Sequence, residues 1–350
     1  MPPSTPPLES LREAWQHLAT TRRSPLVGYD WFVSCVEAFG LEPAMCLVVT
    51  TSHGAITGIA PLVRLRGRLV AIGSARLFEP TDWLAVSEPA LADLVDRVTG
   101  LGEPLVLERV PANSPTVAAL AALPGRRALT ASRRAAPSLA VPTSGSWSEY
   151  HAGLTSHIRI NLARLQRKAE REFGPVSFRV AAPGPADVAG HLETFVAVEG
   201  SGWKHQRGSA LCDRADLRDF FLRYCRRRAA AGALRVHTMT IGDRVAAVEL
   251  ADIAYDRHWQ LKIGYADGVS RFYPGLQLTQ ASLRLAFDER REAYEFLGSA
   301  ESWEWQWRPV ERTYSTLVAY PTTIRGLGAG RADALRMAVR RMRRVMTGEV

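Results

Sequence analysis

The chain has 350 residues, 47% of them hydrophobic and 23% charged, which is an ordinary globular balance with length enough for a sizeable core. No apolar run approaches the ~18 residues a membrane span needs, and MPPSTPPLES lacks the basic start and apolar core of a signal peptide, so the expectation is a soluble cytoplasmic protein. The net charge of +9 suits an anionic ligand such as a coenzyme, RNA or a membrane surface, and does not choose among them.

Taken in order, residues 1–9 are rich in Pro and Ser and read as disordered. Leu11 to Leu18 and Tyr29 to Phe39 read as helices. Strands at 45–50 and 55–63 turn around Gly54, and Arg68 to Ile72 continues the sheet. FEPTDWLAVSEP, with its Pro, Thr, Asp and Ser, is a loop before a helix at 90–99 and a strand at 104–109. Thr116 to Ala122 is helical, and the stretch to Pro142 closes the first half. Ser144-Gly145-Ser146 marks a boundary, with Ser146 or Ser148 available as a helix cap. A long basic helix over 147–172 follows, then a strand at 176–181 and helices at 185–199 and 214–230. Strands at 233–240, 244–253 and 293–297 come next, and Arg312 to Ala319 forms the last. From Ala332 to Met346 a helix carries Leu335, Val339, Met342 and Met346 on one side and arginines largely off that stripe. Docking of the stripe on the domain is the plainer expectation for it; resting on anionic lipid is the alternative.

A shift of 188 residues lays CLVVTTSHGAITGIAPL over LRVHTMTIGDRVAAVEL and matches Val48/Val236, Thr50/Thr238, Gly54/Gly242 and Leu62/Leu250. The two halves therefore read as a duplication. Only the second contains a Pro-Gly loop leading into a helix. That unit spans His258 to Gly298: the alternating strand HWQLKIGYA, the loop DGVSRFYPG, the apolar helix LQLTQASLRLAFDER and the short strand AYEFLG. The first N–H groups of a helix lack internal acceptors and carry the positive dipole end, and a glycine there lets a phosphate approach the backbone. Arg271 adds a charge nearby.

This strand, Pro-Gly helix and FLG strand, followed by an E-S-W-E-W run, resembles the GNAT acyltransferase superfamily. The likeness is narrower to its cellulose-biosynthesis-type and Fem-like (BioF-like) branch. The segments SHIRINLARLQRKAEREFGPVSF, FVAVEGSGWKHQRGSAL and ALRVHTMTIGDRVAAVEL agree with it in order, so that the resemblance covers about 147–320 and reaches weakly back to about 28. It implies an α/β fold of two tandem GNAT-like halves, with mixed central sheets flanked by helices. A degenerate N-terminal half would span 10–143, an acyltransferase half 144–322 and a basic amphipathic helix 323–350. One departure is Trp303-Glu304, where the family often has an aromatic-Lys pair.

The resemblance further implies acetyl-CoA or another acyl-CoA as co-substrate. Its pantetheine would lie along the strand ending near Tyr265, and its pyrophosphate at Arg271, Tyr273, Pro274, Gly275 and Leu276. Acyl transfer from a thioester to an amine needs a neutral amine, a stabilised oxyanion and a thiolate able to leave, and none of these requires a metal. The sequence has no HExxH, GxSxG, Walker A loop or Cys/His metal spacing. Cys35, Cys46, Cys212 and Cys225 show no CxxC pairing and read as reduced thiols. His157, His205, His237 and His258 have no ligand spacing and read as core or surface residues.

For the base, Glu249 in AAVELAD is the first candidate, because a carboxylate among apolar neighbours has a raised pKa. Tyr265 and Tyr273 are candidates to protonate the thiolate. Glu199, Trp203 and Lys204 form the candidate acceptor side, and Asp82 could reach the same cleft. The only lysines, Lys168, Lys204 and Lys262, all fall within the family-like segments. The acceptor is read as a small-molecule, sugar or peptide amine. The alternatives are aminoacyl transfer from tRNA, with Arg159, Arg164, Arg167, Lys168 and Arg171 on its backbone, and a non-catalytic GNAT-fold binding module.

Overall fold

The structure is a computed structural model and describes residues 7–201 and 211–347. Its sheet grows from two hairpins. In the first half β1 (Met45–Ser52) and β2 (Ala55–Leu65) pair antiparallel and β3 (Arg68–Ala71) extends them. In the second half β8 (Leu234–Ile241), β9 (Arg244–Ala254) and β10 (Arg257–Tyr265) repeat that arrangement, with β7 (Val176–Ala181) added at the edge. Each set then gains one parallel strand: β5 (Leu105–Pro111) beside β3, and β11 (Ala293–Glu295) beside β10. A two-residue strand β4 (Leu84–Ala85) rests on β2.

The duplication is thus visible in the topology, but its offset differs from the one the identities suggested. Matching bulges fall at Thr50/Thr51 and at Met239/Thr240, so that Thr50 corresponds to Met239, an offset of 239 − 50 = 189. The four identities at 188 are one residue out of register, on opposite faces of their strands. They aligned the turn glycines Gly54 and Gly242, which occupy different positions of the two hairpin turns.

The halves exchange their last strands. β6 (Ala128–Pro142), from the first half, pairs with β11 of the second, while β12 (Val310–Pro321) pairs with β5 of the first. β6 and β12 also pair with each other, which makes one continuous twelve-stranded mixed sheet. From sequence, the stretch that forms β6 is assigned no element. Its pattern is the reason: the middle, Thr130 to Arg134, is exposed, Pro137 interrupts it, and only Ser138 to Val141 are buried together.

Helices cover both faces. α1 (Arg12–Ala19) and α2 (Tyr29–Phe39) belong to the first half, as do α3 (Ser74–Leu77), α4 (Glu88–Gly100) and α5 (Pro115–Ala121). The second half contributes α6 (Trp147–Gly153), α7 (Ser156–Phe173), α8 (Val188–Gly200), α9 (Ala215–Ala230) and α10 (Pro274–Asp288). The expected single helix over 147–172 is two: Leu154 turns extended, and the Thr155 side chain caps a new helix by accepting from the Ile158 N–H at 3.4 Å. One core joins the halves. Trp31 of α2 meets Phe220 and Tyr224 of α9 edge-to-face at 4.9 and 5.0 Å, next to Trp15, Phe32, Val236 and Leu250. At its edge Arg228 bridges the fully buried Asp252 (2.9 Å) and Asp30 of α2 (3.3 Å).

The C-terminal helix α11 (Ile324–Thr347) begins earlier than expected and docks by the opposite face. Asp333 accepts from Arg68 (2.5 and 2.8 Å) and from the Tyr320 hydroxyl (2.7 Å), and Gly330 sits against the Tyr320 ring. Leu335, expected to dock, is 67% exposed. Among the described residues no helix is long and apolar enough to cross a membrane.

Candidate active site

β10 and β11 pair only over Arg257–Trp259 and Ala293–Glu295. Beyond that point β10 runs on to Tyr265, while the chain after β11 turns away through Leu297 and Gly298, both at positive φ. Two adjoining cavities fill the gap and share Ile263, Glu301 and Trp303 as a common wall.

The larger, of ≈ 530 Å³, is mainly apolar and ends at the N-terminus of α10. Tyr265, Arg271, Tyr273, Pro274, Gly275 and Leu276 all line it, so the structure brings together every residue expected to hold the coenzyme. The local geometry follows from the sequence. Tyr273 adopts the left-handed conformation as N-cap, and Pro274 begins the helix, where its missing N–H costs nothing. Gly275 leaves room that a side chain would take: a Cβ there would come within 3.2 Å of the Tyr265 ring. Arg271 is engaged by Glu172 and lies over the Phe272 ring at 4.9 Å, half-exposed at the mouth. An apolar slot leading to helix N–H groups and a guanidinium fits a pantetheine arm carrying a pyrophosphate.

The smaller cavity, of ≈ 240 Å³, lies between the halves. Trp31, Arg76, Leu77 and Glu79 come from the first half; Gln260, Lys262, Phe296, Gly298 and Glu304 come from the second. The Gly298 N–H donates to Glu79 (3.1 Å to Oε2), and its carbonyl accepts from the buried Arg109 at 2.6 Å. Arg109 also donates to the Phe78 carbonyl at 2.7 Å, which ties the FEP loop to the end of β11. Burial raises Glu79 to about 7 against the opposing charges of Arg109 and Lys262 and the Gly298 hydrogen bond. Burial also raises Glu304 to about 7, although the Glu301 N–H donates to it at 3.1 Å. Two carboxyl groups that can hold or release a proton near neutral pH thus face one small space.

The other candidates lie elsewhere. Glu249 is fully buried in a polar cluster and not among apolar side chains. It contacts His258 Nε2 at 2.6 Å and accepts from the Tyr294 hydroxyl at 2.9 Å and from Gln260 at 3.4 Å. Burial works to raise its pKa, but the hydrogen bond and charge of His258 outweigh that and hold it below the ordinary carboxylate value, the reverse of the expectation. Gln260 stands between this cluster and the smaller cavity. With His237 and His258, Glu249 offers ligand atoms within 4.8 Å of one another, a grouping that sequence spacing did not reveal.

Asp82 does not reach the cleft. It accepts from the Ser114 and Thr116 hydroxyls (2.7 and 2.6 Å) and pairs with Arg22 at 2.9 Å inside the first half. Glu199 is buried at the end of α8, accepts from the Leu211 N–H at 2.8 Å and packs on Gly264 of β10. Trp203 and Lys204 lie outside the described residues.

The splayed pair β10 and β11 opposite the α10 N-terminus lies inside the one segment of the chain that a family model matches. Residues 156–305 match the model of the acetyltransferase (GNAT) domain, and FemX is among the solved structures that share the chain's fold. A conserved protein of unknown function from Bacteroides thetaiotaomicron superposes with TM-score 0.59 at 11% identity, covering 89% of this chain and 97% of that one. FemX gives 0.54 at 11% identity, covering 82% and 90%, and L-PGS from Bacillus licheniformis gives 0.51 at 11%, also covering 82% and 90%. At these identities the likeness is one of fold. No curated protein matches the chain.

Sequence reading did not find Glu79 or Lys262 as cavity residues, nor Arg109 as the side chain that holds Phe78 and Gly298 behind them. Glu79 sits in a stretch whose composition signals only a turn, and its partners are 30 and 219 residues away in sequence at Arg109 and Gly298. The departure at Trp303-Glu304 was the one available signal, and both residues line the smaller cavity.

Proposed function

We propose that the protein is a cytoplasmic N-acyltransferase that moves an acyl group from acyl-CoA to an amine by direct attack in a ternary complex. The observation that carries this reading is the junction of the two cavities at the splay of β10 and β11. One is apolar and ends on the α10 N-terminus; the other contains Glu79 and Glu304. The acyl-CoA would enter along Ile263 and Tyr265 with its pyrophosphate at Gly275 and Leu276. The acceptor would occupy the space between Trp31, Glu79 and Glu304.

In this reading Glu79, in ionised form, takes the proton from the acceptor ammonium and releases the neutral amine. The nitrogen forms its bond to the thioester carbonyl carbon and the C–S bond breaks. The thiolate takes a proton from the Tyr265 hydroxyl, which lines the coenzyme side; the second proton, shed by the new amide nitrogen, returns to the Tyr265 oxygen through solvent, and Glu79 gives its proton back to water. Glu79 and Glu304 replace Glu249 as proposed bases because they line the cavity and Glu249 does not. The supporting experiment is thiol release from a panel of acyl-CoA compounds offered with amino sugars, peptides and small amines. Amine-dependent release that Glu79→Gln suppresses supports the proposal; release with no amine dependence removes it.

A second reading, aminoacyl transfer from tRNA, is favoured by one feature: Arg164, Arg167, Lys168 and Arg171 form an exposed basic row on α7. Activity that requires charged tRNA and disappears with ribonuclease would replace the coenzyme donor.

A further inference from the structure

The C-terminal helix α11 is amphipathic in the sense opposite to its docking. At about 100° per residue, Leu327, Ile324, Leu335 and Val339 fall within an arc of about 120°. Gly326, Gly330 and Asp333 lie on the far side of the helix, and that side meets the domain. A Cβ on Gly326 would strike Pro321, one on Gly330 would touch the Tyr320 ring at 3.2 Å, and Asp333 is bound to Arg68 and Tyr320. The apolar arc therefore faces solvent: Ile324 is 96% exposed and Leu335 67%. Arg325 and Arg336 lie along one side of it, both more than half exposed and paired at their inner ends with Glu103 (3.7 Å) and Asp333 (2.6 Å). In the sequence the last turns continue as RRMRRVM, repeating the same mixture of arginine and apolar residues.

We propose that α11 is a membrane-surface element, which lays its Leu335/Val339 stripe into the interface of an anionic bilayer while its arginines engage lipid phosphates. Two facts select this occupant. The helix already has a tertiary anchor, its capped first turn (Gly326 N–H to Thr323 Oγ1, 3.1 Å) and the Asp333–Arg68 pair, so the stripe is spare and not a face awaiting the domain. The charged side chains of the helix up to Val339 are Arg325, Arg331, Arg336 and the docked Asp333, so cations outnumber acids three to one, and Arg331 is exposed within the stripe itself. Stacking this stripe on that of a second copy would bring arginine rows together, whereas a negatively charged lipid surface compensates them.

The test is co-sedimentation of the full chain with vesicles of phosphatidylcholine alone and with added phosphatidylglycerol. The protein is expected to pellet with the anionic vesicles only, and less at high salt. Leu335→Asp/Val339→Asp should lower the bound fraction at least tenfold while the melting temperature and acetyl-CoA binding stay unchanged, because both side chains are outside the core. Absence of binding to anionic vesicles overturns the proposal. So does binding that the double variant retains, or equal binding to neutral vesicles. A wild-type dimer that the double variant converts to monomer, without vesicle binding, would assign the stripe to a second copy of the chain instead.

Discussion

Replacing Glu79 by Gln should make the protein more stable and less active, and the size of the first effect can be worked from the site. In the folded protein the Glu79 carboxyl titrates at about 7, against an ordinary value of 4.5. One unit corresponds to about 1.4 kcal/mol, so holding this group ionised costs the fold up to about 3 kcal/mol. Because the folded value is the raised one, the protonated form is favoured by folding. Stability from this group is fully present below 4.5 and is lost as pH rises through 7. The substituted amide cannot ionise, yet its carbonyl can still accept the Gly298 N–H. Urea unfolding of both proteins at about pH 5 and about pH 9 isolates the contribution, since Glu304 is common to both. The variant is expected to match or trail the wild type at the lower pH and to exceed it by up to about 3 kcal/mol at the higher. Over the same range, wild-type kcat/KM should rise as Glu79 ionises, and the variant should lose that limb. A stability difference that does not change with pH would refute the enclosed, proton-holding environment argued for Glu79.

Arg109→Ala should cost about 2–4 kcal/mol, because the Phe78 and Gly298 carbonyls would both lose a buried charged donor. Denaturant melts measure that cost, and acceptor KM should rise as the smaller cavity loosens while acetyl-CoA affinity holds. Arg228→Met should cost about 3–5 kcal/mol at neutral pH, since it leaves the Asp252 carboxylate buried without its cation. Burial already raises the Asp252 pKa, so this loss should shrink as pH falls and the group protonates; a pH-independent loss would count against it. Glu304→Gln should change turnover more than acetyl-CoA affinity, read as a kcat effect at saturating coenzyme.

The second half of the fold was legible because its residues obey local rules. HWQLKIGYA alternates, and Pro274-Gly275 carries helix-start chemistry, so the strand and the start of the helix could both be placed from sequence. What escaped was set by long-range pairing. β6 has no alternating pattern, because its partner changes along its length from β12 to β11 and its middle faces water. The strand exchange it takes part in cannot be read from either half alone. Glu249 was misjudged for a related reason: AAVELAD looks apolar along the strand, but the neighbours that set its chemistry, His258 and Tyr294, come from two other strands. For α11 the apolar stripe was found and its direction was not, since the periodicity of a helix does not say which face its surroundings will take. The anchor is Arg68, more than 250 residues away in sequence.

The central claim, that acyl-CoA is held between β10 and the start of α10, is tested most directly by calorimetric titration of acetyl-CoA into the wild type and Gly275→Asp. The substitution puts a Cβ against Tyr265 and a negative charge where the pyrophosphate is proposed to lie. The account predicts one site in the wild type and at least tenfold weaker binding in the variant, a loss of at least ~1.4 kcal/mol, with an unchanged melting temperature. No binding by the wild type, or equal affinity in the two proteins, would contradict it.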